Sequence, residues 1–178
     1  GGALYIYDND GSKATTSDAS TISANGVPDP GTNVSEHYPF DFIIRDGAVF
    51  EMMNSNMSYA GCEAGCQYKG LAVFADGTAI ENSSIDVVSL DAYGAPFSGP
   101  VGAVYYYNSS NNVFSGNNVT RGPVIGAKDG LVFSGTSAGN SVENNTFTDF
   151  QYVFKTDAGT ELSDSNFTGN TVPFIYAD

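Results

Sequence analysis

The sequence predicts an all-β fold, a parallel β-helix (β-solenoid) with irregular coils of about 20–34 residues. Three observations carry that prediction. An apolar residue, four mostly small polar residues and a second apolar residue recur as one phrase at 52–57, 80–85, 114–119, 142–147 and 162–167. A short apolar run stands ahead of each copy. No segment sustains a 3.6-residue period over three turns, and Ala, Leu, Lys and Glu are scarce where a helix would need them.

The elements follow in chain order. "ALYIY" at 3–7 is the first strand, and 1–40 holds that strand and a long loop region with Pro- and Gly-marked turns. From 41 to 178 the coils repeat, so 1–178 is a single β-solenoid domain. The runs "FII" at 42, "AVF" at 72, "VYYY" at 104, "LVF" at 131 and "YVF" at 152 are too short for helices and rich in β-formers. Turn-rich linkers such as "ADGT", "NSSNN" and "SGTSAGN" separate each run from its phrase, giving two regular elements per period. Successive phrases start 28, 34, 28 and 20 residues apart. A β-sandwich also has short strands, but it has no reason to repeat one polar phrase.

In a solenoid, equivalent residues stack about 4.8 Å apart, the spacing of neighbouring strands. Asparagine amides at one position can then bond above and below as a ladder. Asn54, Asn82 and Asn144 occupy one such slot, and Asn56, Asn118 and Asn166 a second. Asn and Gly also tolerate the left-handed backbone of a tight corner.

The phrases "NSVENNTFTDF" and "NVFSGNNVT" resemble the right-handed parallel β-helix repeats of pectate-lyase-like and NosD-type secreted proteins. The resemblance covers roughly 40–176 and specifies a fold more than an activity. Within that class the short, acidic chain looks like an archaeal extracellular sheath or envelope structural subunit.

Composition narrows the partners. The 178 residues are long enough to bury one core, with 41% hydrophobic and 13% aromatic content. Twenty acidic residues against six Lys plus Arg give a net charge of -14, which repels nucleic acid and anionic lipid alike. Charged residues make up only 15%, set among 21 Gly and 11 Tyr with no Trp, a mixture typical of secreted and cell-surface β proteins. No run approaches the roughly 20 apolar residues of a membrane-spanning helix. The expected location is extracellular or at the cell surface, with any signal peptide already removed. Cys62 and Cys66, in "GCEAGC", are placed to close a small disulfide loop, which suits an oxidising compartment.

Both ends read as sheet: Leu4, Tyr5, Ile6 and Tyr7 at one, Phe174, Ile175 and Tyr176 at the other. No amphipathic helix caps either. Uncovered strand edges invite pairing with another chain. The expectation is therefore a homopolymer, joined head to tail by strand pairing into a fibre, ring or sheath, with lateral contacts between fibres or with glycans. Folding back of residues 8–40 as a cap is the competing expectation.

Chemistry is sparse. Asp46, Asp76, Asp129 and Asp157 sit in turn sequences, and the six cationic residues are scattered. His37 is the single histidine, in a loop sequence. "GTSAG" at 135–139 fits a nucleophile-elbow pattern with Ser137, but no helix or later histidine follows. Asp8 and Asp10 in "DNDGS" resemble the front of a Ca²⁺ loop, the one cofactor the sequence suggests, yet the later glutamate is missing. Seven Asn-x-Ser/Thr sequons occur. Five coincide with the ladder slots and are expected to face inward, leaving Asn33 and Asn108 as candidate glycan acceptors. The alternative to a structural subunit is a secreted polysaccharide lyase or hydrolase, or a carbohydrate-binding module, of β-helix fold.

Overall fold

The computed structural model describes residues 3–6, 13–16, 21–23, 41–58, 69–86, 101–120 and 129–172. Among them are seventeen strands in three sheets and no helix. Sheet A runs β1 (Ala3–Ile6), β4 (Asp41–Ile44), β7 (Lys69–Val73), β10 (Val101–Tyr107), β13 (Asp129–Ser134) and β16 (Tyr152–Thr156). Sheet B runs β2 (Lys13–Thr16), β5 (Val49–Met53), β8 (Ala79–Glu81), β11 (Val113–Ser115), β14 (Ser141–Glu143) and β17 (Asn166–Thr168). Sheet C runs β3 (Thr21–Ser23), β6 (Asn56–Ser58), β9 (Ser84–Asp86), β12 (Asn118–Thr120) and β15 (Thr146–Thr148). Every pairing is parallel and joins a strand to the one three elements along the chain. All-parallel sheets with this recurrence are compatible with a β-solenoid.

Each period therefore holds three strands, where the sequence suggested two. The recurring phrase is not one element: its third residue bends the chain and splits it into a sheet B strand and a sheet C strand. Asn54, Asn82 and Asn144 stand at that bend with φ of 49°, 50° and 56°, and Gly116 fills the same place at 63°. These residue types reach the left-handed region at least cost. The region 1–40 is likewise not one strand and a loop, because β2 pairs with β5 and β3 with β6.

Register corrects the last phrase as well. Met52, Ile80, Phe114, Val142 and Phe167 form one inward column in sheet B. Phe167, not Leu162, is the partner of Val142, so the final period is 25 residues rather than 20. Two frames in "LSDSNFTGNTV" match the phrase, and only the one starting at Phe167 puts a bend residue, Gly169, and Asn170 where the other repeats have theirs.

The core lies between the three sheets. Sheet A contributes Phe42, Leu71, Val104 and Leu131 in one column and Ile44, Val73, Tyr106 and Phe133 in another. Sheet C contributes Met57, Ile85, Val119 and Phe147. The three-residue strands β8, β11 and β15 bury only their middle side chain, as period-2 alternation requires. Sheet A differs: its outward column of Ile43, Ala72, Tyr105 and Val132 is buried too, so its strands read as unbroken apolar runs. Tyr106 stacks on Phe133 at 5.2 Å between ring centroids, 11° from parallel. Such a pair adds about 0.5–1.5 kcal/mol beyond its buried area.

Candidate functional site

Among the described residues, two hydrogen-bonded ladders and the terminal strands of the sheets are the features with functional bearing. Each ladder is built from a two-residue unit that precedes a strand: a residue with positive φ, then a buried or half-buried Asn, Ser or Thr. Between sheets B and C the units are Asn54-Ser55, Asn82-Ser83, Gly116-Asn117, Asn144-Asn145 and Gly169-Asn170. Between sheets A and B they are Gly77-Thr78, Asn111-Asn112, Gly139-Asn140 and Asp164-Ser165.

In the first ladder the Ser55 N–H donates to Ser83 Oγ at 3.2 Å, and that of Ser83 to Asn117 Oδ1 at 2.9 Å. The Asn117 N–H donates to Asn145 Oδ1 at 2.9 Å, and that of Asn145 to Asn170 Oδ1 at 3.1 Å. The amide nitrogens reach the opposite way: Asn117 Nδ2 donates to Ile80 O at 2.8 Å and Asn145 Nδ2 to Phe114 O at 2.8 Å. In the second ladder Thr78 N–H donates to Asn112 Oδ1 at 2.9 Å, Asn112 N–H to Asn140 Oδ1 at 3.0 Å and Asn140 N–H to Ser165 Oγ at 3.1 Å. Backbone bonds pair the N–H of each bend residue, as Asn82 N–H does with Ser115 O, but not the N–H of the buried residue that follows, and an unpaired buried N–H or C=O costs about 1–3 kcal/mol. A side chain carrying both a donor and an acceptor answers that cost from the neighbouring repeat.

The hydrogen-bonded ladder thus runs one residue after the first slot read from the sequence and one before the second. Asn54, Asn82 and Asn144 are exposed at the bend. Asn56 and Asn118 are exposed first residues of β6 and β12, and each faces Ser84 across sheet C. Asn166 lies in sheet B beside Ser141, away from that column, and its Nδ2 donates to Glu143 Oε1 at 2.7 Å. A parity signal could have found this. The apolar ends of the phrase are five residues apart, an odd number, and alternation cannot turn both inward without a bend between them.

One set of terminal strands comes last in the described chain. β16 and β17 are the terminal strands of sheets A and B, and sheet C ends at β15 with an isolated bridge from Thr146 to Thr171. Tyr152 is 51% exposed and Phe154 38%, whereas the equivalent Leu131 of the preceding repeat is fully buried. Phe154 packs edge-on against Phe147 at 5.5 Å and Phe167 at 5.2 Å. Lys155 Nζ donates to Asp129 Oδ2 at 2.8 Å across β13 and β16. That bond, together with the charges of Asp129 and Asp157, holds the Lys155 pKa above its ordinary value against partial desolvation.

At the other end β1, β2 and β3 are the terminal strands, with Leu4, Tyr5 and Ile6 in β1. Tyr7, Phe174, Ile175, Tyr176, Cys62, Cys66, Asp8, Asp10, Asn33 and His37 lie outside the described residues. Ser137 is buried and its hydroxyl donates to Ser134 O at 3.1 Å, a ladder-side role rather than that of an exposed nucleophile. Among the described residues no three His, Cys, Asp or Glu side chains come together as a metal site, and no helix is long and apolar enough to cross a membrane. No protein-family model, curated protein or solved structure matches the chain.

Proposed function

We propose that the chain winds as a parallel β-helix with two open ends, and that it is a structural subunit of an extracellular fibre, ring or sheath. Copies join head to tail, the last winding of one pairing with the first winding of the next. The observation that carries this reading is the exposed pair Tyr152 and Phe154 on β16, a strand at the edge of its sheet. Edge strands that stay solitary are blunted by charge, proline or a bulge, and β16 carries one lysine already engaged with Asp129.

Magnitudes favour pairing in more than one sheet. Covering the exposed parts of Tyr152 and Phe154 is worth about 2–3 kcal/mol, less than the roughly 4–15 kcal/mol that association costs. Parallel addition of β1, β2 and β3 of a second copy would extend sheets A, B and C together, and strand pairing supplies the remainder. Subunits carrying a charge of -14 repel one another, so cations that screen them strengthen assembly. Negative-stain imaging of native material is the test. Tubes, rings or fibrils support the proposal, and isolated small particles in mild buffer contradict it.

A further inference from the structure

The sequons acquire a new reading once the asparagines are sorted by which end of the amide is engaged. All six sequon asparagines within the described residues are exposed, so none is the inward-facing residue the sequence implied. The ladder asparagines are different residues. Their Nδ2 groups donate to neighbours at the bend, as Asn117 does to Ile80 O and Asn140 to Ser137 O. A glycan is attached through Nδ2, so modification there would cost the ladder its donors.

Asn82, Asn108 and Asn144 have the opposite arrangement. Each has positive φ, at 50°, 46° and 56°, and each turns Oδ1 toward the next repeat. Asn82 Oδ1 lies 2.5 Å from where a Cβ on Gly116 would stand, and Asn108 and Asn144 make the same approach to Gly135 and Gly169. At Asn108 the orientation is fixed chemically, because Oδ1 accepts the Thr136 N–H at 3.1 Å. Nδ2 makes no hydrogen bond at any of the three among the described residues. Asn111 is an internal comparison: it packs on Gly139 in the same way, but "NNV" is not a sequon. Asn166 heads a sequon, but its Nδ2 is held by Glu143. Asn56 and Asn118 open strands, with Ser84 about 4.8 Å away across the sheet, where a glycan would crowd its neighbours.

We propose that Asn82, Asn108 and Asn144 are N-glycan attachment sites on the outside of the fold. The inference rests on the extracellular reading above. The sugar donor is a polyprenyl-phosphate-linked oligosaccharide, and an oligosaccharyltransferase supplies the base. Nδ2 forms a bond to the anomeric carbon, the carbon–oxygen bond to the phosphate breaks, and the phosphate leaves with its lipid. The displaced amide proton passes to the transferase. Oδ1 remains in place, so the contact with the glycine survives the modification.

The test is glycopeptide mapping of the chain from its natural source, with cells and their surroundings analysed separately. The expected result is a glycan mass on Asn82, Asn108 and Asn144, and none on Asn111, Asn117 or Asn145. Ser84→Ala and Thr146→Val should abolish it at Asn82 and Asn144 respectively, whereas Ser84→Thr should preserve it. Material recovered outside the cell with all three asparagines bare would overturn this proposal and leave the location standing. Bare material found only inside cells would overturn both. Glycans on Asn56 and Asn118 instead would refute selection by the free end of the amide.

Discussion

The main-chain N–H of Asn117 donates to Oδ1 of Asn145 at 2.9 Å, across 28 residues of chain. Asn145 in turn sends Nδ2 to the carbonyl of Phe114 at 2.8 Å, so one side chain satisfies two backbone groups of the neighbouring repeat. Repeats are tied at their bends by such bonds and along their strands by backbone pairing. A ladder amide is therefore structural, although it is polar and fully buried.

Asn145→Ala should remove both bonds and strand the Asn117 N–H and the Phe114 C=O in the core. The expected loss is about 2–5 kcal/mol, read as a lower urea midpoint at unchanged slope. Asn145→Ser should cost less, because Ser55 and Ser83 fill the same position in other repeats. Equal loss in the two variants would show that the position needs volume rather than hydrogen bonds.

Gly116→Ala should cost about 1–3 kcal/mol, since it places a side chain at φ +63° and drives a Cβ to 2.5 Å from Asn82 Oδ1. Part of that cost belongs to the contact and part to the backbone. In an Asn82→Ala background the contact disappears, so the same substitution should cost less by at least about 0.5 kcal/mol. Strict additivity in the double-mutant cycle would mean the two residues do not touch.

Tyr106 gives the alkaline prediction. Its hydroxyl is buried beside Thr78, whose own hydroxyl is committed to Asn112 Oδ1 at 2.8 Å, and it finds no hydrogen-bond partner among the described residues. Burial pushes its pKa well above the ordinary value. Above about pH 10 the unfolded chain sheds this proton while the folded chain keeps it, so stability falls as pH rises. Tyr106→Phe should be neutral or stabilising by up to about 1 kcal/mol at neutral pH. It should also flatten the decline above pH 10. A clear loss at neutral pH would show that the hydroxyl has a partner.

Much of this architecture is legible in the residues. The recurrence of "IENSSI", "FSGNNV" and "VENNTF" marks equivalent windows, and their strands do pair in that alignment. Which asparagine turns inward is not visible in composition, because Asn144 and Asn145 are chemically identical and only a backbone bend divides them. Strands β2 and β3 escaped notice because "KATT" and "TIS" carry little apolar content, and parallel partners lie far along the chain. The exposure of Tyr152 and Phe154 needs the packing around them to be seen.

Sedimentation velocity of the native chain and its Phe154→Lys variant, over a wide concentration range in mild buffer, tests the central claim most directly. Larger species should accumulate with concentration in the native chain and be lost in the variant, with the circular dichroism of both unchanged. A single monomeric boundary for the native chain at every concentration would contradict it.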